Sequence, residues 1–327
     1  MEPPEAKPKH GEWYYLARDI GIAVLVVGLG FSGVVLYTQT WPPMVVIESS
    51  SMQHSDTESY VGVIDTGDLV LVQKAATKGE VETWVEGRNS GYQTYGDYGD
   101  VLIFHRTLSQ GRLEGDPPII HRAIVYLEWN AASGGYDVPG LAGVGNAGKW
   151  SCTGCTMSNG PYNMTTSLRL LETSPRHNRN MSLDLAAIRR ASEAWSPDGE
   201  PYSGYVTMGD HNNGPDGAGS GALWPQEAIV GKARGEIPWF GLIKLSIPGL
   251  NDRTSCCKYV GCVYPTCYAT RNSWDSLVLS IVLALSIPVF MDLVLGWRER
   301  RKMAAKPVER EDQPSKPDDK PDKPPDG

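Results

Sequence analysis

A mainly β body with an inserted lobe, flanked by N- and C-terminal transmembrane helices, is the architecture this sequence predicts. Three observations carry that prediction. Two long apolar runs lie towards the two ends, short apolar runs punctuated by Gly, Asp and Asn fill the region between them, and one long polar stretch breaks the series. The chain has 327 residues, enough for one large or two ordinary domains with a sizeable core. Its net charge of −8 gives no reason to expect nucleic acid as a partner. The 36 glycines and 24 prolines favour turns and strands over long soluble helices.

The first apolar run, Ile20 to Tyr37, carries no charge. At ~1.5 Å per residue it extends roughly 27 Å, enough for a bilayer core. Its exit, "LYTQTWPP", is bulky and proline-blocked rather than small and A-x-A-like, which predicts an uncleaved anchor over residues 20–40. The second run, Ser276 to Trp297, is bracketed by Trp274 and Trp297 as interfacial aromatics bracket a span, and predicts a second transmembrane helix over 274–297. A buried soluble helix is the competing reading of this run. Its Asp292 suits a snorkelling end residue beside the basic flank, with a functional intramembrane carboxylate as the alternative. Lys7, Lys9 and Arg18 precede the first run and "RERRK" follows the second, which places residues 1–19 and 298–327 in the cytoplasm. The Pro- and charge-rich tail has nothing to bury and is expected to be disordered. The expectation is a multi-pass protein of the cell membrane whose middle portion faces outside.

Within that outer portion "MVVIE", "DLVLVQ", "DVLIFHR", "IIHRAIVYLEW", "GYVTMGD" and "EAIVGKAR" read as strands. They assign a β domain to residues 41–126 and 201–250. Residues 75–97 are polar and turn-rich. Residues 127–200 form the inserted lobe, in which "SLDLAAIRRASEAW" has helical spacing with Ser182 or Asp184 as its cap. Residues 251–273 are Cys-rich. All six cysteines, Cys152, Cys155, Cys256, Cys257, Cys262 and Cys267, fall outside the spans and the cytoplasmic ends. An even number in that compartment reads as disulfides. The C-x-x-C followed by a distant Cys-rich stretch leaves tetrahedral zinc open as the second reading. Asn163 and Asn180 match the glycosylation sequon.

Three patterns could do chemistry. The triplet Ser49, Ser50 and Ser51 precedes Met52, His121 opens an apolar strand, and Asp210 and Asp216 share the loop "GDHNNGPDG". A serine hydroxyl needs a base to become a nucleophile, and a histidine oriented by a carboxylate suits that role. Spacing alone does not single these out. His105 is an equally good base, and Asp68, Asp97, Asp100 and Asp116 compete as carboxylates.

In order behind the anchor stand "SSSM", "GDLVLV", "GDVLIF", "HRAI" and "GDHNNGPD". This ordered set resembles the type I signal peptidases, in the archaeal and endoplasmic-reticulum branch that carries histidine where the bacterial branch carries lysine. The resemblance covers residues 40–125 and 203–235. It implies a signal-peptidase-like β fold and a serine endopeptidase that removes signal peptides from exported preproteins. It implies Ser51 as nucleophile, His121 as general base and then acid, Asp216 as the third member with Asp210 in support, and Ser49 as an oxyanion-hole donor. Ser49 as a turn-shaping residue stays open beside that role. No cofactor is implied. The implied partners are signal peptides of secreted preproteins, the lipid bilayer and the protein-export channel. Two departures stand out: Ser50 occupies a position where many relatives have Gly, and His54 one where they have Pro. On a tight turn His54 is expected at the surface.

Ser51 follows the membrane exit near Trp41 by about ten residues, which keeps it within roughly 35 Å of that exit. A signal peptide presents its scissile bond at the same interface, and confinement of both partners to one bilayer raises their effective concentration. A processing peptidase for one dedicated group of preproteins fits equally well. From another class, a non-catalytic membrane-anchored binding module would need neither Ser51 nor His121.

Overall fold

The computed structural model describes residues 11–105, 107–108, 111–112, 118–142, 149–157, 162–172, 180–217, 222–247 and 269–304. It is mainly β. In chain order the strands are β1 (Met44–Val46), β2 (Leu69–Gln73), β3 (Gln93–Thr94), β4 (Asp97–Tyr98), β5 (Val101–Phe104), β6 (Thr107–Leu108), β7 (Gly111–Arg112), β8 (Ile119–Asn130), β9 (Gly135–Val138), β10 (Trp150–Met157), β11 (Tyr162–Leu170), β12 (Met181–Asp184), β13 (Gly204–Met208) and β14 (Ile229–Ile237). The α-helices are α1 (Glu12–Thr38), α2 (Trp84–Ser90), α3 (Leu185–Trp195), α4 (Gly241–Leu245) and α5 (Arg271–Ala304). All six apolar runs singled out in the sequence contain a strand, because β-branched and aromatic side chains fit a pleated surface buried on at least one side.

Ten described strands form one antiparallel sheet in the order β1-β2-β14-β5-β8-β9-β11-β10, with β12 paired to β11 and β13 to β8. Strand β8 holds this sheet together. Its head, Ile119–Arg122, pairs with β5, its middle pairs with β13, and its tail, Glu128–Asn130, pairs with β9. The stretch 127–200 therefore grows out of the tail of the strand whose head carries His121. It has a core around Tyr136, Leu141, Trp150, Met164 and Ile188. A second core gathers Ile47, Met52, Ile64, Val70, Ile103 and Ile120.

Local chemistry explains the details that the apolar pattern misses. Helix α2 lies inside the polar stretch 75–97 and starts on a capping box, in which Thr83 accepts from Glu86 N and the Glu86 carboxylate accepts from Thr83 N. Helix α3 is capped by Asp184, which accepts from Ala187 N at 2.9 Å, while Ser182 lies within β12. Cys152 and Cys155 are joined in a disulfide on β10, and Cys256, Cys257, Cys262 and Cys267 lie outside the described residues. Of the two sequons, Asn180 is exposed, whereas Asn163 is buried and donates its amide to Asp137 at 2.7 Å.

The chain divides into two compact units, residues 1–277 and 278–327, with α5 crossing the division. Among the described residues two helices are long and apolar enough to cross a membrane, over Trp13–Thr38 and Arg271–Arg298. In the first unit, the end of α1 is hydrogen-bonded into the sheet. Thr38 O accepts from Lys74 N at 2.8 Å, and Thr40 Oγ1 donates to Val72 O at 2.6 Å. The start of α5 is tied to the same unit through Asn272, which accepts from Ser59 N and donates to Ser59 O, both at 2.9 Å. In the second unit the helix runs through Pro288 and ends at Ala304.

The Gly-Asp turn ahead of β2 shows how closely the first unit is packed. Gly67 has φ 98°, and a Cβ there would stand 2.3 Å from Leu242 Cδ2, so the turn requires glycine. The next residue, Asp68, is buried and accepts from Asp65 N at 2.7 Å and Trp239 N at 2.8 Å. Burial pushes its carboxyl up to about 7 despite those two donors, and Glu236 and Asp65 add to the rise. The folded state then holds a proton that the unfolded chain releases near the ordinary aspartate value. Its stabilising contribution is complete below about pH 4 and is lost as pH rises to about 7. Asp68→Asn should remove that loss. Unfolding free energies from urea titrations are expected to diverge in favour of the variant between pH 4 and 7, by ~4 kcal/mol at most.

Candidate active site

The serine segment follows β1 and is held from both sides. Ile47 N donates to Asp68 O and Ile47 O accepts from Gly67 N, both at 2.9 Å. Beyond it, a turn closes through Gln53 N to Ser50 O at 3.1 Å. Ile47 and Met52 bury their side chains in one core, so the three serines are displayed between two apolar plugs. Ser49 and Ser51 line a cleft of about 1000 Å³ together with His121 and the apolar side chains of Val45, Ile47 and Ile120. Strand β1, at one end of the sheet order, forms part of its wall.

His121 and Arg122 are consecutive on β8, so their side chains leave opposite faces of the strand. His121 Nδ1 donates to Asp216 Oδ2 at 2.7 Å, since an ionised carboxylate only accepts. The Thr207 hydroxyl donates to the same oxygen at 2.5 Å, and Asp216 N closes the loop on Thr207 O at 2.9 Å. The carboxylate is thereby aimed at the imidazole, which holds its proton on Nδ1 and leaves Nε2 as an acceptor.

Arg122 turns instead towards Asp210. Its Nε and Nη2 make a bidentate pair with Oδ1 and Oδ2 at 2.8 and 2.6 Å. Nη1 donates to the carbonyls of Thr94, Asp97, Tyr98 and Gly99 at 3.0–3.2 Å, which satisfies a guanidinium only 1% exposed. Burial alone would push Asp210 up. The charge and hydrogen bonds of Arg122, assisted by His54, more than offset it and hold the carboxyl below its ordinary range.

The two aspartates of one loop thus have separate partners. Met208 sits opposite Arg122 in the β13–β8 register, so the chain leaving β13 reaches the head of β8 at once. Gly209 permits the approach. A Cβ there would stand 2.4 Å from the Ser51 main-chain oxygen and 2.9 Å from His121 Nε2, so the serine segment's backbone and the base candidate both press on a position that holds no side chain. His211 N donates to Ser51 O at 2.9 Å from the same loop. The Ser51 hydroxyl is bonded to Ser49 Oγ at 3.2 Å rather than to the imidazole.

Three of the competing carboxylates go elsewhere. Asp97 accepts from Trp84 Nε1, Asp100 binds Lys232 and Arg234, and Asp68 closes its turn. Asp116 lies outside the described residues, and His105 also lines the cleft. His54 refines the sequence expectation: it is only partly exposed, with 18% of its side chain accessible, and donates from Nε2 to Asp210 Oδ2 at 3.0 Å. Arg122, Thr207 and Gly209 were not singled out from the sequence. Of these only Arg122 had a signal, a charge inside an apolar strand that demands a buried partner.

No family model matches the sequence, and no curated protein matches it.

Breaking the buried pair from one side tests its structural weight. Arg122→Met leaves Asp210 without its main counter-charge and should cost about 3–5 kcal/mol in urea unfolding. Gly209→Ala should cost about 1–3 kcal/mol by overpacking, read in the same assay.

Proposed function

We propose that this chain is a membrane-anchored serine endopeptidase, a signal peptidase with a Ser–His mechanism and a signal-peptidase-like β fold, that removes signal peptides from exported preproteins. The observation that carries this reading is the His121–Asp216 contact of 2.7 Å, with His121 and Ser51 lining the same cleft. Those are the parts acyl transfer needs: an oriented imidazole with a free nitrogen, and a hydroxyl near it.

In the mechanism, the Ser51 hydroxyl turns from Ser49 to His121 Nε2 and attacks the scissile carbonyl as its proton passes to the imidazole. Asp216 stabilises the imidazolium through Nδ1–H. The Ser49 hydroxyl, freed from Ser51, donates to the developing oxyanion. His121 returns the proton to the leaving amine, and the acyl-serine ester is hydrolysed by water activated on the same nitrogen. An extended substrate lies along β1, whose main chain supplies hydrogen bonds while shallow apolar pockets accept small side chains. The bilayer and the protein-export channel deliver that substrate to the outer face, where the anchor holds the cleft.

Ser51→Ala and His121→Ala should each abolish cleavage of a preprotein in membranes while the protein stays folded and inserted. Full processing by folded Ser51→Ala discards the proposal and leaves the binding-module reading. Asp216→Asn should lower kcat by about 10⁴ with the fold intact. Ser49→Ala should lower kcat by about 10²–10³ if it donates to the oxyanion; an unchanged kcat assigns it to the turn.

A further inference from the structure

His54 is joined to the site by a contact that spans 156 positions of the chain. Its Nε2 meets Asp210 Oδ2, the same oxygen that takes Arg122 Nη2 at 2.6 Å. Its ring is wedged over the turn between β3 and β4. A Cβ on Gly96 would stand 2.9 Å from His54 Cε1 and 3.2 Å from Nδ1. That hairpin supplies carbonyls to Arg122 Nη1, so histidine, hairpin, arginine and aspartate form one closed network. Of its members, His54 alone lies on the serine segment, three residues after Ser51. Arg122 is the chain neighbour of His121. Asp210 therefore ties the nucleophile's segment to the base's strand.

We propose that His54 is a positioning residue: by donating to Asp210 it fixes the serine segment relative to the head of β8, and so sets the separation between the Ser51 hydroxyl and His121 Nε2. This inference rests on the peptidase reading of Ser51. His54 is not among the residues that line the cleft. Its effect belongs in the chemical step rather than in substrate binding, because displacing a reacting group by about 1 Å can cost 10²-fold.

The test uses the full chain in detergent micelles with a purified preprotein, comparing His54→Ala, His54→Leu and His54→Gln with the parent. His54→Ala should lower kcat about 10- to 100-fold with KM held within about twofold. His54→Gln, which keeps an N–H donor, should recover most of that loss. If the alanine variant does not fold, His54→Leu fills the volume without a donor and gives the same comparison. In an Asp210→Asn background, removing His54 should add little, since the acceptor charge is already gone. An unchanged kcat in a folded donor-less variant, or additive losses in the double variant, overturns the proposal. The same cycle read in urea midpoints needs no catalysis: non-additive shifts support the His54–Asp210 tie, and additive ones overturn it. Cleavage by Ser51→Ala, in contrast, discards the peptidase reading itself, with that cycle still deciding whether the tie exists.

Discussion

The buried pair of Arg122 and Asp210 is the constraint around which the first unit is arranged. Two charges removed from water cost several kcal/mol each unless geometry returns that energy. Here the guanidinium fork meets the carboxylate in two parallel bonds, and its remaining donors reach carbonyls of one hairpin. Three distant segments are drawn to one point: the head of β8, the loop after β13 and the β3–β4 turn. With Asp210 held there, the loop leaves β13 along a single path. That path brings Gly209 against Ser51 and returns Asp216 to Thr207.

Strand periodicity then divides the work between two aspartates. Because His121 and Arg122 are adjacent, they cannot share a face, and each selects a different carboxylate from the same loop. One aspartate is a fixed charge inside the protein. The other is only partly buried and orients an imidazole at the cleft. Under the peptidase reading one loop thus supplies, within seven residues of chain, both a fixed internal charge and the group that orients the base.

Much of this architecture was legible in the chain itself. Apolar runs bounded by Gly and Asp locate the strands, and two long apolar stretches locate the long helices, since both signals come from burial and length alone. The candidate serine and histidine were also legible once their boxes were ordered. What escaped depends on contacts far apart in sequence. Asp210 and Asp216 look alike in a glycine-rich loop, and only the β13–β8 register assigns each its partner. His54 looked like a turn residue because its acceptor lies on another segment. Helix α2 was hidden by its polar composition, although the Thr83–Glu86 box that starts it is local. Asn163 fits the sequon, yet the pairing of β11 with β9 turns it inward to Asp137.

The join between α1 and the sheet has a mechanical meaning. The helix does not end in a slack tether: its last carbonyl is hydrogen-bonded to the residue just after β2 and the threonine just beyond it to β2 itself, and β2 pairs with the strand that leads to the serines. If the helix is embedded, the reach of the cleft above the lipid is a fixed dimension of the fold rather than an average over a swinging linker. Such a molecule works as a caliper, choosing which peptide bond it meets by height as much as by side-chain identity.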